Sequence, residues 1–192
     1  EEKMRKIEFD ILLKLFEEGC MTNEELAVEL FKVETDIQEA LEFLKKEEYI
    51  FNNQITEKGR EKLREYPVDN AIILAARFVP LSFEKPKGLL MVKGEPLIER
   101  QIKAIREKGI QEIVIVVGHM KEHFEYLVEK YGIILVESKE YKERNNHSSI
   151  YAARKYLKNS IITSSDLYFT KNIFQTYAYD SYYCTIYMSG KT

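Results

Sequence analysis

Apolar positions recur at helical spacing through the first third of the chain. Residues 4–18 carry an apolar stripe on one face, and Gly19 ends the predicted helix. Thr22 begins a second helix with a capping box, and a third helix is predicted from about Thr35 to Glu47. A short hairpin is predicted over Tyr49 to Ile55, around two asparagines. This part of the chain is therefore predicted to be mainly helical.

The pattern changes at Asn70 to continuous apolar runs separated by amphipathic segments. Runs of this kind are typical of strands that are covered on both faces. The predicted strands are 71–76, 112–117, 133–136 and 160–164, and the predicted helices are 95–108, 121–130 and 149–157. Alternating strands and helices predict an α/β fold with a mostly parallel sheet, in which ligands bind at the carboxyl ends of the strands. Candidate functional residues should follow Ala76, Val117 and Ser165.

The charge distribution separates the same two parts. Residues 1–66 contain 11 Lys and Arg against 18 Asp and Glu, a net charge of −7, whereas residues 67–192 contain 18 against 14, a net charge of +4. This asymmetry predicts a domain boundary near Tyr66-Pro67, with one domain over 1–66 and a second over 67–192.

The segment Ile55 to Leu63 (ITEKGREKL) resembles the passage from the wing to the last helix in winged helix-turn-helix domains. The resemblance implies DNA binding through the third helix. The charges argue against that function, since the helix would present acidic residues to the phosphates. These residues are Glu34, Asp36, Glu39 and Glu42. A structural, regulatory or dimerising role, the last giving a homodimer, is predicted instead of DNA binding.

Composition excludes several classes of protein. The chain is 45% hydrophobic and 32% charged, which is ordinary for a globular protein. No apolar stretch is long enough to span a bilayer and no signal-peptide core is present, so we expect no membrane association and a cytoplasmic location. Cys20 and Cys184 are far apart in sequence and are interpreted as buried structural thiols. The three histidines lack the carboxylate partners of a zinc signature.

Residues Ala71 to Leu90 read AIILAARFVPLSFEKPKGLL. This stretch resembles the signature loop of nucleoside-triphosphate transferases, in which a strand ending in Leu-Ala-Ala leads into a phosphate-binding loop, an Arg and a Pro-Lys pair. The resemblance implies nucleotide binding at Leu74, Ala75 and Ala76. It implies catalytic roles for Arg77, at the triphosphate, and Lys87, beside the phosphates, where cations neutralise the charge that develops as pyrophosphate leaves.

The sequence departs from the family at the phosphate-binding loop. Family members place a Gly-x-Gly-Ser or Gly-x-Gly-Thr stretch between the second Ala and the Arg, but here Arg77 directly follows Ala76. A true deletion would remove the backbone amides that cradle the triphosphate. The alternative is that a mobile glycine-rich segment of the natural protein is missing from the sequence at this point.

Two later segments resemble bacterial choline-phosphate cytidylyltransferases. They are EYKERNNHSSIYAAR, at 140–154, and SSDLYF, at 164–169. The resemblance implies pyrimidine contacts from Asn146 and Ser149, and a Mg²⁺ cofactor held by Asp166 together with substrate phosphates. Each residue also has a plain alternative. Asp166 could cap a turn, the asparagines could form a turn and Lys87 could be a solvated surface lysine.

Tyrosines are abundant near the end of the chain, and two interpretations are open. Aromatic rings attract quaternary ammonium groups, so Tyr168, Tyr182 and Tyr183 are candidates for a choline pocket. Tyrosines are also common on half-exposed edge strands.

The predicted fold is a Rossmann-like nucleotidyltransferase sheet preceded by a small winged-helix domain. The ending SGKT indicates a sheet that is incomplete at its C-terminus, and a choline-kinase-like module could follow. The resemblance implies transfer of CMP from CTP to phosphocholine, giving CDP-choline and pyrophosphate. The alternatives are transfer to a sugar 1-phosphate and a non-catalytic regulator that senses a nucleotide. An intact glycine-rich loop in the gene would favour catalysis, whereas a genuine deletion would favour the sensor.

Overall fold

A computed structural model describes residues 4–76, 85–139 and 146–184. Contacts divide the chain into two compact units. The first unit is Glu1–Pro67 with Tyr177–Thr192, and the second unit is Val68–Thr176. The charge count assigned all residues after 66 to the second domain, whereas the contacts of the segment beginning at Tyr177 are with the first unit.

The first unit consists of helices and one small hairpin. Its elements are α1 (Lys6–Glu18), α2 (Asn23–Leu30), α3 (Glu34–Lys46), β1 (Ile50–Phe51), β2 (Gln54–Ile55) and α4 (Glu57–Leu63). The predicted capping box of α2 is confirmed, because the Glu25 backbone N–H donates to the Thr22 hydroxyl (3.2 Å) and the Thr22 N–H donates to the Glu25 carboxylate (2.7 Å). The order of elements is the predicted one, and the winged-helix assignment itself remains a prediction.

The backbone conformation of the hairpin turn explains why two asparagines occur there. Asn52 and Asn53 both have positive φ, 49° and 54°, in the left-handed region that asparagine tolerates better than most residues. After the hairpin, the Thr56 hydroxyl caps α4 by accepting from the Gly59 N–H at 3.1 Å. A Cβ at Gly59 would lie 2.2 Å from the Tyr49 carbonyl oxygen, so this position requires glycine.

The late tyrosines complete the core of the first unit. The rings of Tyr66 and Tyr179 are stacked with centroids 5.5 Å apart, and Phe9 lies 5.2 Å from Tyr66 and 5.6 Å from Tyr179. The Tyr179 hydroxyl donates to the Met4 carbonyl at 2.8 Å. Apart from one bridge between Pro67 and Tyr177, residues 177–184 form no strand, so the edge-strand interpretation is wrong for them.

We expect Tyr179→Phe to lower the free energy of unfolding of the first unit by about 1 kcal/mol, because the ring contacts remain while the Met4 carbonyl loses its donor. Urea unfolding followed by circular dichroism measures the change. Tyr183→Phe is the matched control, since the Tyr183 side chain is 96% exposed, and it should change stability by less than about 0.5 kcal/mol. Equal effects of the two substitutions would contradict the anchoring role of Tyr179.

The second unit is built on a four-stranded parallel sheet. Its strands and α-helices are β3 (Asn70–Leu74), β4 (Met91–Val92), β5 (Glu95–Pro96), α5 (Leu97–Glu107), β6 (Glu112–Val117), α6 (Tyr126–Tyr131), β7 (Ile134–Glu137), α7 (Asn146–Ala152) and β8 (Ser160–Ser164). The main sheet has the order β7-β6-β3-β8, and β4 pairs with β5 in a separate small antiparallel ribbon. Leu74 is in register with Val116 on one side and Ser164 on the other, so the carboxyl ends of the three strands are level.

Alternate residues of β3 and β6 enter two different apolar layers. Ala71 and Ile73 face a layer that contains Ile98 and Ile102 of α5, whereas Ile72 and Leu74 face a layer on the other side of the sheet. That second layer contains Ala153, just after α7. Helices therefore cover both faces of a parallel sheet, which confirms the predicted α/β class. Within the described ranges, no helix is long and apolar enough to cross a membrane.

Some local predictions differ from the structure. The helix predicted over 121–130 is a 3-10 turn, Lys121–Phe124, followed by the short α6. The helix predicted over 149–157 begins earlier, at Asn146, and ends in a 3-10 turn. The prediction that both cysteines are buried is wrong, because Cys20 and Cys184 are exposed in irregular segments.

Candidate functional site

The predicted nucleotide-binding residues lie where β3 ends between its two neighbours. The Ala75 N–H donates to the Val116 carbonyl at 2.8 Å, and the Leu74 carbonyl accepts from the Ser165 N–H at 3.0 Å. Ala76 is buried. The backbone of this strand end is thus fixed on both sides before the chain reaches Arg77, which lies outside the described residues.

Two of the predicted functional side chains come together at this edge of the sheet. The Lys87 ammonium nitrogen lies 3.6 Å from one carboxylate oxygen of Asp166, and both side chains are about one-third exposed. The other Asp166 oxygen accepts from the Ser164 hydroxyl at 2.6 Å. Lys87 begins a 3-10 turn after Pro86, and Asp166 follows the end of β8. A cation and a carboxylate that are far apart in sequence are therefore paired and accessible to solvent.

Gly88 allows the Lys87 turn to approach the end of β8. A Cβ at this position would lie 2.8 Å from the Ser165 Cβ and 2.9 Å from its Oγ, which is too close for any larger residue without a shift. The sequence pattern alone did not indicate a role for this glycine. The signal was its position directly after the Lys of the Pro-Lys pair.

A buried amide supports the turn that carries Asp166. Gln101, on α5, is only 1% exposed, and its amide nitrogen donates to the carbonyls of Ser164 and Leu167, both at 2.9 Å. Its amide oxygen accepts from the Thr163 hydroxyl at 3.3 Å. Sequence reasoning missed this residue. Gln101 is a polar residue on the buried face of α5, and that position is the signal that could have identified it.

Cations already lie against the ring of Tyr168. The Arg100 guanidinium carbon is 4.9 Å from the ring centroid and the Lys93 ammonium is 5.8 Å from it. Arg100 is held there by Glu95, at 3.1 Å, and by the Phe169 carbonyl, at 3.3 Å. The Tyr168 ring is therefore engaged by the protein's own positive charges.

The other predicted ligand contacts are placed as follows. Ser149 lies on α7 and is buried. The backbone of Asn146 begins α7, and its side chain lies outside the described residues. Tyr182 and Tyr183 belong to the first unit, whereas Tyr168 belongs to the second.

A buried carboxylate fixes α5 to α6. Glu99 accepts hydrogen bonds from the Lys130 ammonium (2.7 Å) and from the hydroxyls of Tyr131 (2.5 Å) and Tyr126 (2.9 Å). Burial alone would raise the pKa of Glu99, but these hydrogen bonds outweigh it and hold that pKa below its ordinary value. The network fixes the helix that also carries Gln101.

Because the pKa of Glu99 is lowered on folding, the stability that its ionised form contributes should be complete above the ordinary carboxyl pKa of 4.5 and be lost as the pH falls through the lower folded value. The free energy of unfolding should be measured from above pH 4.5 down through the folded pKa of Glu99. It should depend less on pH in Glu99→Gln than in the wild type. Identical slopes for the two proteins would contradict the role of this network.

The chemistry of the donors suits a magnesium ion shared with a substrate. The described part of the chain holds no group of three or more His, Cys, Asp or Glu side chains that could bind a metal on its own. Asp166 presents one carboxylate, and Mg²⁺ is commonly held by one or two carboxylates together with substrate phosphates and water. A single partly exposed carboxylate fits such a shared ion.

Comparison with known proteins gives a consistent set of similarities. Residues 71–180 match the MobA-like NTP transferase domain family. The chain is 44% identical over 126 residues to the choline-phosphate cytidylyltransferase of Streptococcus pneumoniae, covering 64% of this chain and 55% of that protein. It is also 44% identical over 131 residues to the 2-aminoethylphosphonate cytidylyltransferase of Lancefieldella rimae, covering 64% of this chain and 53% of that protein.

A solved structure shows the same relationship. The CTP:phosphocholine cytidylyltransferase from Streptococcus pneumoniae superposes with a TM-score of 0.52 and 46% sequence identity, covering 56% of this chain and 49% of that one. The chain spans about half the length of the curated relatives it matches.

Proposed function

We propose, because the chain belongs to the MobA-like NTP transferase domain family, that the protein transfers CMP from CTP to phosphocholine, giving CDP-choline and pyrophosphate. The observation that carries this proposal is the pairing of Lys87 with Asp166 beside the carboxyl end of β3, in a sequence similar to choline-phosphate cytidylyltransferases. Ligands of parallel α/β sheets bind at this end of the strands.

The chemistry needs positioning and charge neutralisation more than proton transfer. A phosphate oxygen of phosphocholine attacks the α-phosphorus of CTP, a new P–O bond forms, and the bond to the bridging oxygen breaks as pyrophosphate leaves. The nucleophile is already an anion and needs no general base. Lys87 would offset the negative charge that develops, and Asp166 would hold Mg²⁺, which supplies further charge neutralisation at the triphosphate.

The remaining contacts are proposals that follow from the resemblance. Leu74, Ala75 and Ala76 would lie along the nucleotide with Arg77 at its triphosphate, and Asn146 and Ser149 would contact the pyrimidine. For the choline head group the candidates are Tyr168, in the second unit, and Tyr182 and Tyr183, in the first. A trimethylammonium group would have to share the Tyr168 ring with Arg100 or displace it.

A second acceptor is favoured by one observation. The 2-aminoethylphosphonate cytidylyltransferase of Lancefieldella rimae is as similar to this chain as the choline-phosphate enzyme is. Both acceptors carry a cationic nitrogen two carbons along from a phosphate or phosphonate group. 2-Aminoethylphosphonate is therefore the alternative acceptor, and its smaller ammonium would need less room at Tyr168.

The test is pyrophosphate release by the full-length natural protein with each NTP, Mg²⁺ and a panel of acceptors. We expect CTP to be the donor and phosphocholine to exceed glucose 1-phosphate by more than about tenfold in kcat/KM, with phosphoethanolamine between them. A higher value for 2-aminoethylphosphonate would change the acceptor alone. A higher value for glucose 1-phosphate would leave only nucleotidyl transfer, and no release with any acceptor would favour the nucleotide sensor.

The first unit is not expected to bind duplex DNA tightly at physiological salt. The acidic residues of α3 are exposed, and a surface of net negative charge repels phosphates. They are Glu34, Asp36, Glu39 and Glu42. Fluorescence anisotropy with random duplex should show no submicromolar, salt-sensitive binding. Such binding would contradict this prediction and support the DNA-binding function that a winged helix implies.

A further inference from the structure

The amide of Gln101 spans the turn that presents Asp166. Its two N–H groups donate to the carbonyl of Ser164, before the turn, and to the carbonyl of Leu167, after it. Its oxygen accepts from the Thr163 hydroxyl, so the amide is oriented from a third side. The side chain is 1% exposed, which makes these hydrogen bonds costly to lose because water cannot replace them.

Only an amide on a side chain of this length can supply the two donors and one acceptor that the surrounding groups require. Both carbonyls need donors, and the Thr163 hydroxyl needs an acceptor. A glutamate would present acceptor oxygens to two carbonyl oxygens, and a methionine of similar volume would offer no donor at all. The backbone on both sides of Asp166 therefore requires glutamine at position 101, whereas the packing of α5 does not.

We propose that Gln101 is a positioning residue for Asp166. The Ser164 residue whose carbonyl Gln101 binds also donates its hydroxyl to Asp166, at 2.6 Å. Gln101 therefore fixes the backbone from which the orientation of the carboxylate is set, with the second carboxylate oxygen directed towards Lys87. This inference rests on the proposed function, in which Asp166 holds the magnesium ion that accompanies CTP.

The consequence is specific to the metal-dependent part of nucleotide binding. Groups that orient a metal ligand commonly contribute about 10- to 100-fold to metal affinity or activity. In Gln101→Met, CTP affinity in EDTA should stay within about twofold of the wild type. The gain in CTP affinity on adding Mg²⁺ should fall by about tenfold.

The experiment is calorimetric titration of CTP into the full-length protein, with Mg²⁺ and separately with EDTA. The matched control is Ile105→Ala, which opens a cavity on the buried face of the same helix, one turn further on. It should lower stability while keeping the full Mg²⁺-dependent gain at a temperature where both variants are folded. Equal losses in the two variants would mean a general packing effect and would overturn the proposal.

A milder variant keeps the test usable if Gln101→Met does not fold. Thr163→Val removes the hydroxyl that orients the amide oxygen, and it should reduce the Mg²⁺-dependent gain by about threefold. If the Mg²⁺-dependent gain in CTP affinity is unchanged in Gln101→Met, the role of Gln101 is overturned and the proposed function stands. If Gln101→Met is unfolded, an unchanged gain in Thr163→Val has the same meaning. A wild-type protein without Mg²⁺-dependent CTP binding overturns both.

Discussion

Asp166→Ala should lower turnover by about a hundredfold or more while the fold stays intact. The carboxylate is the metal anchor in the proposed mechanism, and its loss leaves the charge of the triphosphate and of the departing pyrophosphate without that ion. The fold should survive because the partners of Asp166 are the Ser164 hydroxyl and a partly exposed Lys87, and exposed ion pairs contribute at most about 1 kcal/mol. Steady-state pyrophosphate release measures turnover, and circular dichroism checks the fold.

Glu137→Ala is the matched control for this substitution. Glu137 ends β7, at the opposite edge of the sheet from β8, and it is paired with Lys121 at 2.7 Å. Its removal takes away another partly exposed, ion-paired carboxylate at the same end of the strands, so turnover should stay close to that of the wild type. Near-normal turnover in Asp166→Ala would remove Asp166 from the site.

Lys87→Ala should lower kcat by about tenfold or more and change CTP affinity much less. A cation that acts on the charge developing in the transition state contributes to the rate more than to ground-state binding. Turnover at saturating substrates and CTP affinity from calorimetry separate the two effects. A change confined to affinity would instead assign Lys87 to ground-state binding of the nucleotide.

Lys85→Ala is the control for Lys87, since Lys85 is an exposed lysine two residues earlier, and it should keep both parameters. The double variant adds a further check. If Lys87 and Asp166 act as one unit, the combined loss in Lys87→Ala, Asp166→Ala should be smaller than the product of the single losses. Multiplicative losses would indicate that the two side chains act independently.

The parallel sheet could be predicted because its signal is local. The runs at 71–76 and 112–117 are continuously apolar, and strands covered on both faces need that composition wherever they occur. The position of Asp166, two residues after the end of a strand, could be predicted in the same way. Its pairing with Lys87 could not be derived from periodicity, because it depends on how the loop that contains Gly88 folds back onto the end of β8.

The roles of the tyrosines and of Gln101 depend on contacts between distant parts of the sequence. An abundance of tyrosine does not indicate which rings face a ligand and which pack into a core. Tyr179 contacts Phe9 and Tyr66, whereas Tyr168 contacts Arg100. Gln101 looks like an ordinary helix residue until the carbonyls beside Asp166 are located.

The return of the chain to the first unit at Tyr177 makes the second unit an insertion. The hydrogen bond between Tyr179 and Met4 joins residues 175 positions apart, with the whole parallel sheet between them in sequence. During synthesis, the helices of the first unit leave the ribosome early, but Tyr179 can join Phe9 and Tyr66 only after more than a hundred further residues have followed. We therefore expect the first unit to reach its final packing only after the second unit has been synthesised.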